Sequence, residues 1–165
     1  MAEGSMKGTV IHGSHDLTTV EHLLSACAGT NHWGMEFSMS AVEPPILDGS
    51  ALPFVDAIKH LPQTHVEPLI LKFPVFVQEK DSFIAAIPQA QSLPRIRYYA
   101  SYPLMGDYFY DFSGSVQEYV AEIAPARTFC MDYEIEIQTK AGHNKGASLD
   151  CAVVFSKHGP SSPLR

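Results

Sequence analysis

The stretch Thr18-Thr19-Val20-Glu21-His22-Leu23-Leu24-Ser25-Ala26 combines a helix start, an apolar face and an adjacent acid and imidazole in nine positions. Thr18 followed three residues later by Glu21 is a capping-box pattern, in which the hydroxyl accepts from the amide of residue 21 and Glu21 reaches back. The pattern sets a helix start at residue 19. Val20, Leu23, Leu24 and Cys27 then share one helical face, and Gly29 is placed to end the helix. Glu21 and His22 fall in the first turn. Two readings of this pair stand side by side. In one, Glu21 caps and His22 is a satisfied, partly buried histidine. In the other, His22 binds a metal and Glu21 is a general base for metal-bound water.

Composition narrows the field around that segment. At 165 residues and 45% hydrophobic content, the chain suits one domain or two small ones with a real core. A formal net charge of −7 and a pI near 5.5 argue against nucleic acid or an anionic membrane as partner, because phosphate binding needs clustered Lys and Arg. A small molecule or a protein is the expected partner. No apolar run reaches the length of a transmembrane helix, and residues 1–13 lack the basic and apolar regions of a signal peptide. The expected location is the cytoplasm. Cys27, Cys130 and Cys151 are widely spaced among apolar neighbours and read as reduced core thiols.

Further along, Met35 to Ser40 alternates like a half-buried strand, and the double proline and Asp-Gly of Glu43 to Ser50 read as a shaped loop. Ser50 caps a short helix containing Phe54, Val55 and Ile58. Leu61 to Pro68 is a linker, placing a boundary near residue 67. Beyond it, residues 69–77, 82–87, 95–102 and 108–112 read as an antiparallel meander, with Pro74 marking an edge or a bulge. Ser115-Val116-Gln117-Glu118 is a second capping box, opening a helix that Pro125 stops. Between Asp132 and Lys140, Tyr133, Ile135 and Ile137 alternate like a strand while Gly142 suits a helix end, so the residues leave both states open. Ala152 to Phe155 is a short buried strand, followed by a tail rich in Gly, Pro and Ser.

Four segments in order carry a family resemblance: Thr19-Val-Glu-His-Leu-Leu-Ser-Ala26, Pro45-Ile-Leu-Asp-Gly-Ser-Ala51, Ile123-Ala-Pro-Ala-Arg-Thr-Phe129 and Lys145-Gly-Ala-Ser-Leu-Asp150. Together they resemble UDP-3-O-acyl-N-acetylglucosamine deacetylase, the zinc hydrolase of lipid A synthesis, from about Thr9 to Arg165. The resemblance implies an α/β fold of the α+β sandwich kind: two modules, each a mostly antiparallel sheet with packed helices. Residues 1–8 are an unmatched start, 9–67 the later part of the first module, and 68–165 the earlier part of the second. An insert at about 131–150 forms a passage for the substrate's acyl chain and is partly helical, which favours the Gly142 signal. By residue, Glu21 matches the family's general acid/base, His22 its first zinc ligand, Thr128 the hydroxyl that stabilises the oxyanion, and Phe129 the aromatic beside the substrate. Such a set is coherent: zinc polarises an amide carbonyl, a carboxylate takes the proton and a hydroxyl meets the developing charge. Gly34 stands where the family has Asn, Cys130 and Ala147 stand for glycines, and Cys151 for an Asn.

Pro163-Leu164-Arg165 corresponds to the residues just before the family's His-Lys-x-Leu-Asp segment, which carries the second and third zinc ligands and a substrate-contacting Lys. The family's catalytic His lies later still. One zinc ligand is thus expected in this sequence where about three are needed. His12 and His15 are weak substitutes, and His32, His60, His65, His143 and His158 default to solvent. The expected activity is hydrolysis of the N-acetyl amide of a nucleotide-sugar lipid, dependent on a complementing chain that supplies the missing ligands. The alternative is a truncated non-catalytic relative with a binding or structural role, or no function. Strands missing from either end would leave exposed sheet edges and a poorly self-sufficient fold.

Overall fold

The computed structural model describes residues 9–64, 66–90, 93–102, 105–140 and 151–161. His65, His143, Gly142, the start at 1–8, the Lys145 to Asp150 motif and Pro163 to Arg165 lie outside the described residues.

The chain opens on a small hairpin, β1 (Val10–Ile11) with β2 (Leu17–Thr18), and turns directly into α1 (Glu21–Gly29). The turn is made at Thr19, whose φ of 55° is left-handed, an uncommon state for a β-branched residue. That geometry displaces the expected capping box. Thr18 is committed to pairing with Val10, and its hydroxyl donates to Glu43 Oε1 at 3.0 Å. Glu21 Oε2 instead accepts from the amide of Thr9 at 3.0 Å, and the helix begins two residues later than expected with no side-chain cap. Leu23, Ala26 and Cys27 form the buried stripe with Val20, while Leu24 faces outward.

Gly29 ends α1 for a different reason from the one its position suggested. Its φ is not left-handed; Thr30 caps the helix, its amide reaching Ala26 O and its hydroxyl donating to the same oxygen at 2.6 Å. What requires glycine is Tyr119, because a Cβ on residue 29 would lie 2.4 Å from the tyrosine ring. His32, expected in solvent, is buried: Nδ1 meets Thr30 Oγ1 at 2.8 Å and Nε2 meets the carbonyl of Leu61 at 3.1 Å. A carbonyl only accepts, so Nε2 donates, and the ring ties the end of α1 to the segment that follows α2 (Leu52–Ile58). His60 and His158 are exposed, as the sequence suggests; His12 and His15, the weak substitute ligands, are exposed too, and His12 Nδ1 lies 3.1 Å from Asp16 Oδ1.

α2 packs against α1, and its start is organised by Ser50, whose Oγ accepts from the amide of Leu52 at 3.2 Å. Met35 to Ser40 forms no strand; the alternation finds no neighbouring strand to pair with among the described residues. The expected meander is two separate hairpins: β3 (Val75–Glu79) with β4 (Ser82–Ala86), and β5 (Ile96–Tyr102) with β6 (Gly106–Phe112). Pro74 immediately precedes β3, so residues 69–73 stay outside the sheet. Phe76, Phe83 and Ile84 remain at least 68% exposed, so both faces of the first hairpin are apolar and uncovered among the described residues.

The second capping box forms in half: Ser115 caps, while its own amide donates to Ser113 Oγ rather than to Glu118. Ser115 Oγ accepts from the amide of Glu118 at 3.0 Å and opens α3 (Val116–Glu118), which runs on as a π-helical stretch, Tyr119–Ile123. The Glu118 carboxylate turns to Ser113, accepting from its amide and its hydroxyl, and those bonds hold its pKa below the usual range. β7 (Phe129–Met131), α4 (Asp132–Lys140) and β8 (Val153–Ser156) follow, with β7 and β8 parallel and β9 (Gly159–Pro160) antiparallel to β8. The ambiguous segment is thus helical. Asp132 and Glu134 lie in its first turn and Lys140 in its last, a distribution that suits the helix dipole and that alternation did not reveal.

The result is an α+β fold of small, mostly antiparallel sheets with packed helices. Its main core gathers Leu23, Ala26 and Cys27 of α1, Val55 and Ile58 of α2, Phe112 of β6, and Tyr119 and Ala124. A second cluster joins Met131, Val153 and Phe155. The overpacking of Gly29→Ala against Tyr119 is expected to cost about 1–3 kcal/mol in urea denaturation. His32→Ala, which leaves the carbonyl of Leu61 without its donor, is expected to cost a similar ~1–3 kcal/mol. A loss below about 0.5 kcal/mol in either variant, the range of a neutral surface change, would contradict the assigned contact.

Candidate functional site

Four residues singled out in the sequence lie in two pairs. Glu21 and His22 share the first turn of α1, both half-buried, just after the left-handed turn at Thr19. Glu21 Oε2 holds the amide of Thr9, and no further hydrogen bond of the carboxylate or of His22 is present among the described residues. Thr128 and Phe129 sit at the start of β7. No hydrogen bond joins the two pairs directly among the described residues.

The pairs are connected through the core. Ser25 of α1 and Tyr119 share a hydrogen bond of 2.8 Å between hydroxyls, and the Tyr119 ring packs over Gly29 and toward Phe112, 6.4 Å between centroids. Burial pushes the Tyr119 hydroxyl pKa up, and burial does the same to the Cys27 thiol, keeping both protonated at neutral pH. From Tyr119 the π-helical stretch closes on Ala124, whose amide donates to Tyr119 O at 2.8 Å. Such π-turns are rare and occur mostly as single turns within helices. Here the turn leads directly into Ala124 to Thr128.

Thr128 is held on both sides of its peptide. Its amide donates to Gly49 O at 2.6 Å, and its carbonyl accepts from the amide of Val153 at 2.9 Å. The Thr128 hydroxyl has no hydrogen-bond partner among the described residues. Phe129 is 38% exposed and meets Tyr102 edge-on at 5.2 Å and Phe155 at 5.9 Å. Tyr102 is in turn hydrogen-bonded to Tyr98 at 3.1 Å, which pushes its pKa up to about 12. The aromatic next to Thr128 is thus gripped on its edges and keeps part of its surface open.

The loop before α2 reads from sequence as a shaped turn and as one of the resemblance segments, yet with no assigned role, and it makes the contact that holds Thr128. The Asp-Gly pair is the local signal, and it does not by itself point to residues 124–128. Asp48 O accepts from Arg127 Nε at 3.0 Å, and Ala51 N donates to Ala124 O at 3.0 Å.

Among the described residues no three of His, Cys, Asp and Glu gather to hold a metal ion. Among the described residues His22 belongs to no such group, and Glu21 is engaged by Thr9. The residues described do not by themselves fit a three-ligand zinc centre. Cys27, Cys130 and Cys151 are thiols rather than disulfides, and no helix among the described residues is long and apolar enough to cross a membrane.

The model of the UDP-3-O-acyl N-acetylglycosamine deacetylase family matches residues 2–165. A UDP-3-O-acyl-N-acetylglucosamine deacetylase of Nostoc is 33% identical, over 93% of this chain and 58% of the relative. One of Thermosynechococcus vestitus is 36% identical, over 89% of this chain and 53% of the relative. A protein of Arabidopsis thaliana named as a probable mitochondrial UDP-3-O-acyl-N-acetylglucosamine deacetylase is 33% identical, over 98% of this chain and 56% of the relative. The chain therefore spans a little over half the length of these relatives. With the family model matched along almost the whole sequence, the chain belongs to the UDP-3-O-acyl N-acetylglycosamine deacetylase family.

Proposed function

We propose that this chain carries part of the active site of a hydrolase that removes the N-acetyl group from UDP-3-O-acyl-N-acetylglucosamine in lipid A biosynthesis. The observation that carries the reading is the family match along residues 2–165, within which Glu21 and His22 occupy the first turn of α1. Glu21 is the general acid/base: one carboxylate oxygen is anchored by the Thr9 amide, and the other takes the proton of the attacking water. The Thr128 hydroxyl, on a peptide held by Gly49 and Val153, donates to the oxyanion that forms when water adds to the amide carbonyl. Phe129 packs beside the substrate.

The reaction of this reading is zinc-dependent, with His22 as one ligand and the others supplied by polypeptide outside these 165 residues. In the same reading, residues 9–67 and 68–165 belong to two modules, and the insert at about 131–150 contributes to a passage for the acyl chain. The proposed compartment is the cytoplasm, which suits three thiols held out of disulfides. The second reading, a non-catalytic relative that retains a binding or structural role, draws on the lack of a three-ligand cluster among the described residues.

Zinc content and deacetylase turnover, measured on the chain alone and with a complementing polypeptide that carries the family's His-Lys-x-Leu-Asp segment and its later His, separate these readings. The expected result is substoichiometric zinc and no turnover alone, and about one zinc with turnover in the complemented form. In the complemented form Glu21→Gln is expected to lower kcat about 10²–10⁴-fold with zinc retained, and His22→Ala to lose zinc. Stoichiometric zinc and full turnover in the chain alone would overturn the claim of an incomplete site. Zinc without turnover in the complemented form would favour the non-catalytic relative.

A further inference from the structure

The turn Asp48-Gly49-Ser50 and the segment Ala124 to Thr128 are laid against each other by two backbone bonds and one side-chain bond that belong to no sheet. Ala51 N reaches Ala124 O, Arg127 Nε reaches Asp48 O, and Thr128 N reaches Gly49 O at 2.6 Å. The turn is itself closed from within. Asp48 Oδ1 accepts from Ser50 N at 3.0 Å and from Ser50 Oγ at 2.8 Å, and Ser50 Oγ in turn accepts from Leu52 N at the start of α2. Ser50 is 1% exposed and Gly49 is buried, while Asp48 closes the turn from its exposed side. Gly49 has φ of +81°, and a Cβ there would lie 1.8 Å from the carbonyl oxygen of Cys151. No other residue fits without moving the backbone.

The same position leaves room for the Thr128 methyl, since the Cβ missing from Gly49 would lie 3.2 Å from Thr128 Cγ2. A threonine carries its methyl and hydroxyl on one stiff χ1. A side chain at residue 49 would therefore press on the methyl and, with it, turn the hydroxyl. We propose that Asp48, Gly49 and Ser50 are positioning residues for Thr128, the turn holding its backbone through the Gly49 carbonyl and leaving its methyl the space its rotamer needs, so that the hydroxyl meets the oxyanion. This rests on the deacetylase reading for what Thr128 does, but the geometry of positioning is testable without it.

The test compares Asp48→Ala, Asp48→Asn and Ser50→Ala by two readouts. The first is the Thr128 methyl resonance of the 165-residue chain labelled at threonine methyls, with Phe76→Ala on the exposed β3–β4 hairpin as a control away from the turn. Asp48→Ala and Ser50→Ala are expected to shift or broaden the Thr128 methyl. Asp48→Asn, whose amide oxygen accepts the same two bonds, restores the wild-type signal, and Phe76→Ala leaves it in place. The second readout is kcat and KM of the complemented enzyme. Asp48→Ala is expected to lower kcat about 10- to 100-fold with KM little changed, as for a misplaced catalytic group, and Asp48→Asn to recover it. If Asp48→Ala fails to fold, Ser50→Ala and Asp48→Asn carry the same comparison. An unmoved Thr128 methyl in Ser50→Ala, or a loss in Asp48→Asn equal to that in Asp48→Ala, would overturn the positioning role. A complemented wild type without turnover would overturn the deacetylase reading, while the methyl comparison still decides the positioning one.

Discussion

Tyr119 is the contact on which the arrangement of both halves of the candidate site depends. Its ring occupies the hollow that Gly29 leaves at the end of α1, its hydroxyl holds Ser25, and its carbonyl begins the π-turn that closes on Ala124. A side chain at residue 29, or a regular α-turn at 119–124, would change the separation of α1 from the segment ending in Thr128. The acid and imidazole at one end of α1 are thereby referred to the same core as the hydroxyl of Thr128, although no direct hydrogen bond links them among the described residues. Precision at a site assembled from separate segments comes from the packing behind it more than from contacts within it.

The second reference is the turn before α2. It is joined to the first through the core, because α2 packs on α1 and Ala51 pairs with Ala124. A short helix, a glycine turn and a π-turn thus form one support, and Thr128 emerges where they meet. By contrast the hairpin β3–β4 has apolar residues on both faces, most of them open to solvent. A two-stranded sheet without a covered face is marginal by itself. The stable part of the described structure is therefore the helical core and its attached loop.

The features legible in the sequence were those decided within a few residues. Most of the apolar stripe of α1, the cap at Ser115, the short helix α2 and the turn between β3 and β4 are local matters. Where the sequence misled, a distant partner had won a competition that local signals cannot express. Thr18 was a plausible cap until Val10 and Glu43 claimed its backbone and hydroxyl. His32 reads as a loop histidine until Leu61 offers its carbonyl. Met35 to Ser40 has the alternation of a strand and no partner strand among the described residues. Of the candidate site, Glu21, His22, Thr128 and Phe129 came from family resemblance rather than from physical pattern. The turn that holds Thr128 was invisible for a plain reason: Asp48 and Arg127 are 79 residues apart in the chain.

Native-state hydrogen exchange tests the central claim most directly, that α1 and the Thr128 segment are one cooperative support. The amides of Leu24 in α1, Thr128 and Val153, bonded to Val20, Gly49 and Thr128 in turn, are predicted to open with a common free energy and a common denaturant dependence, well above that of the β3–β4 amides. Opening of Thr128 at a lower energy than Leu24, independent of α1, would contradict the account.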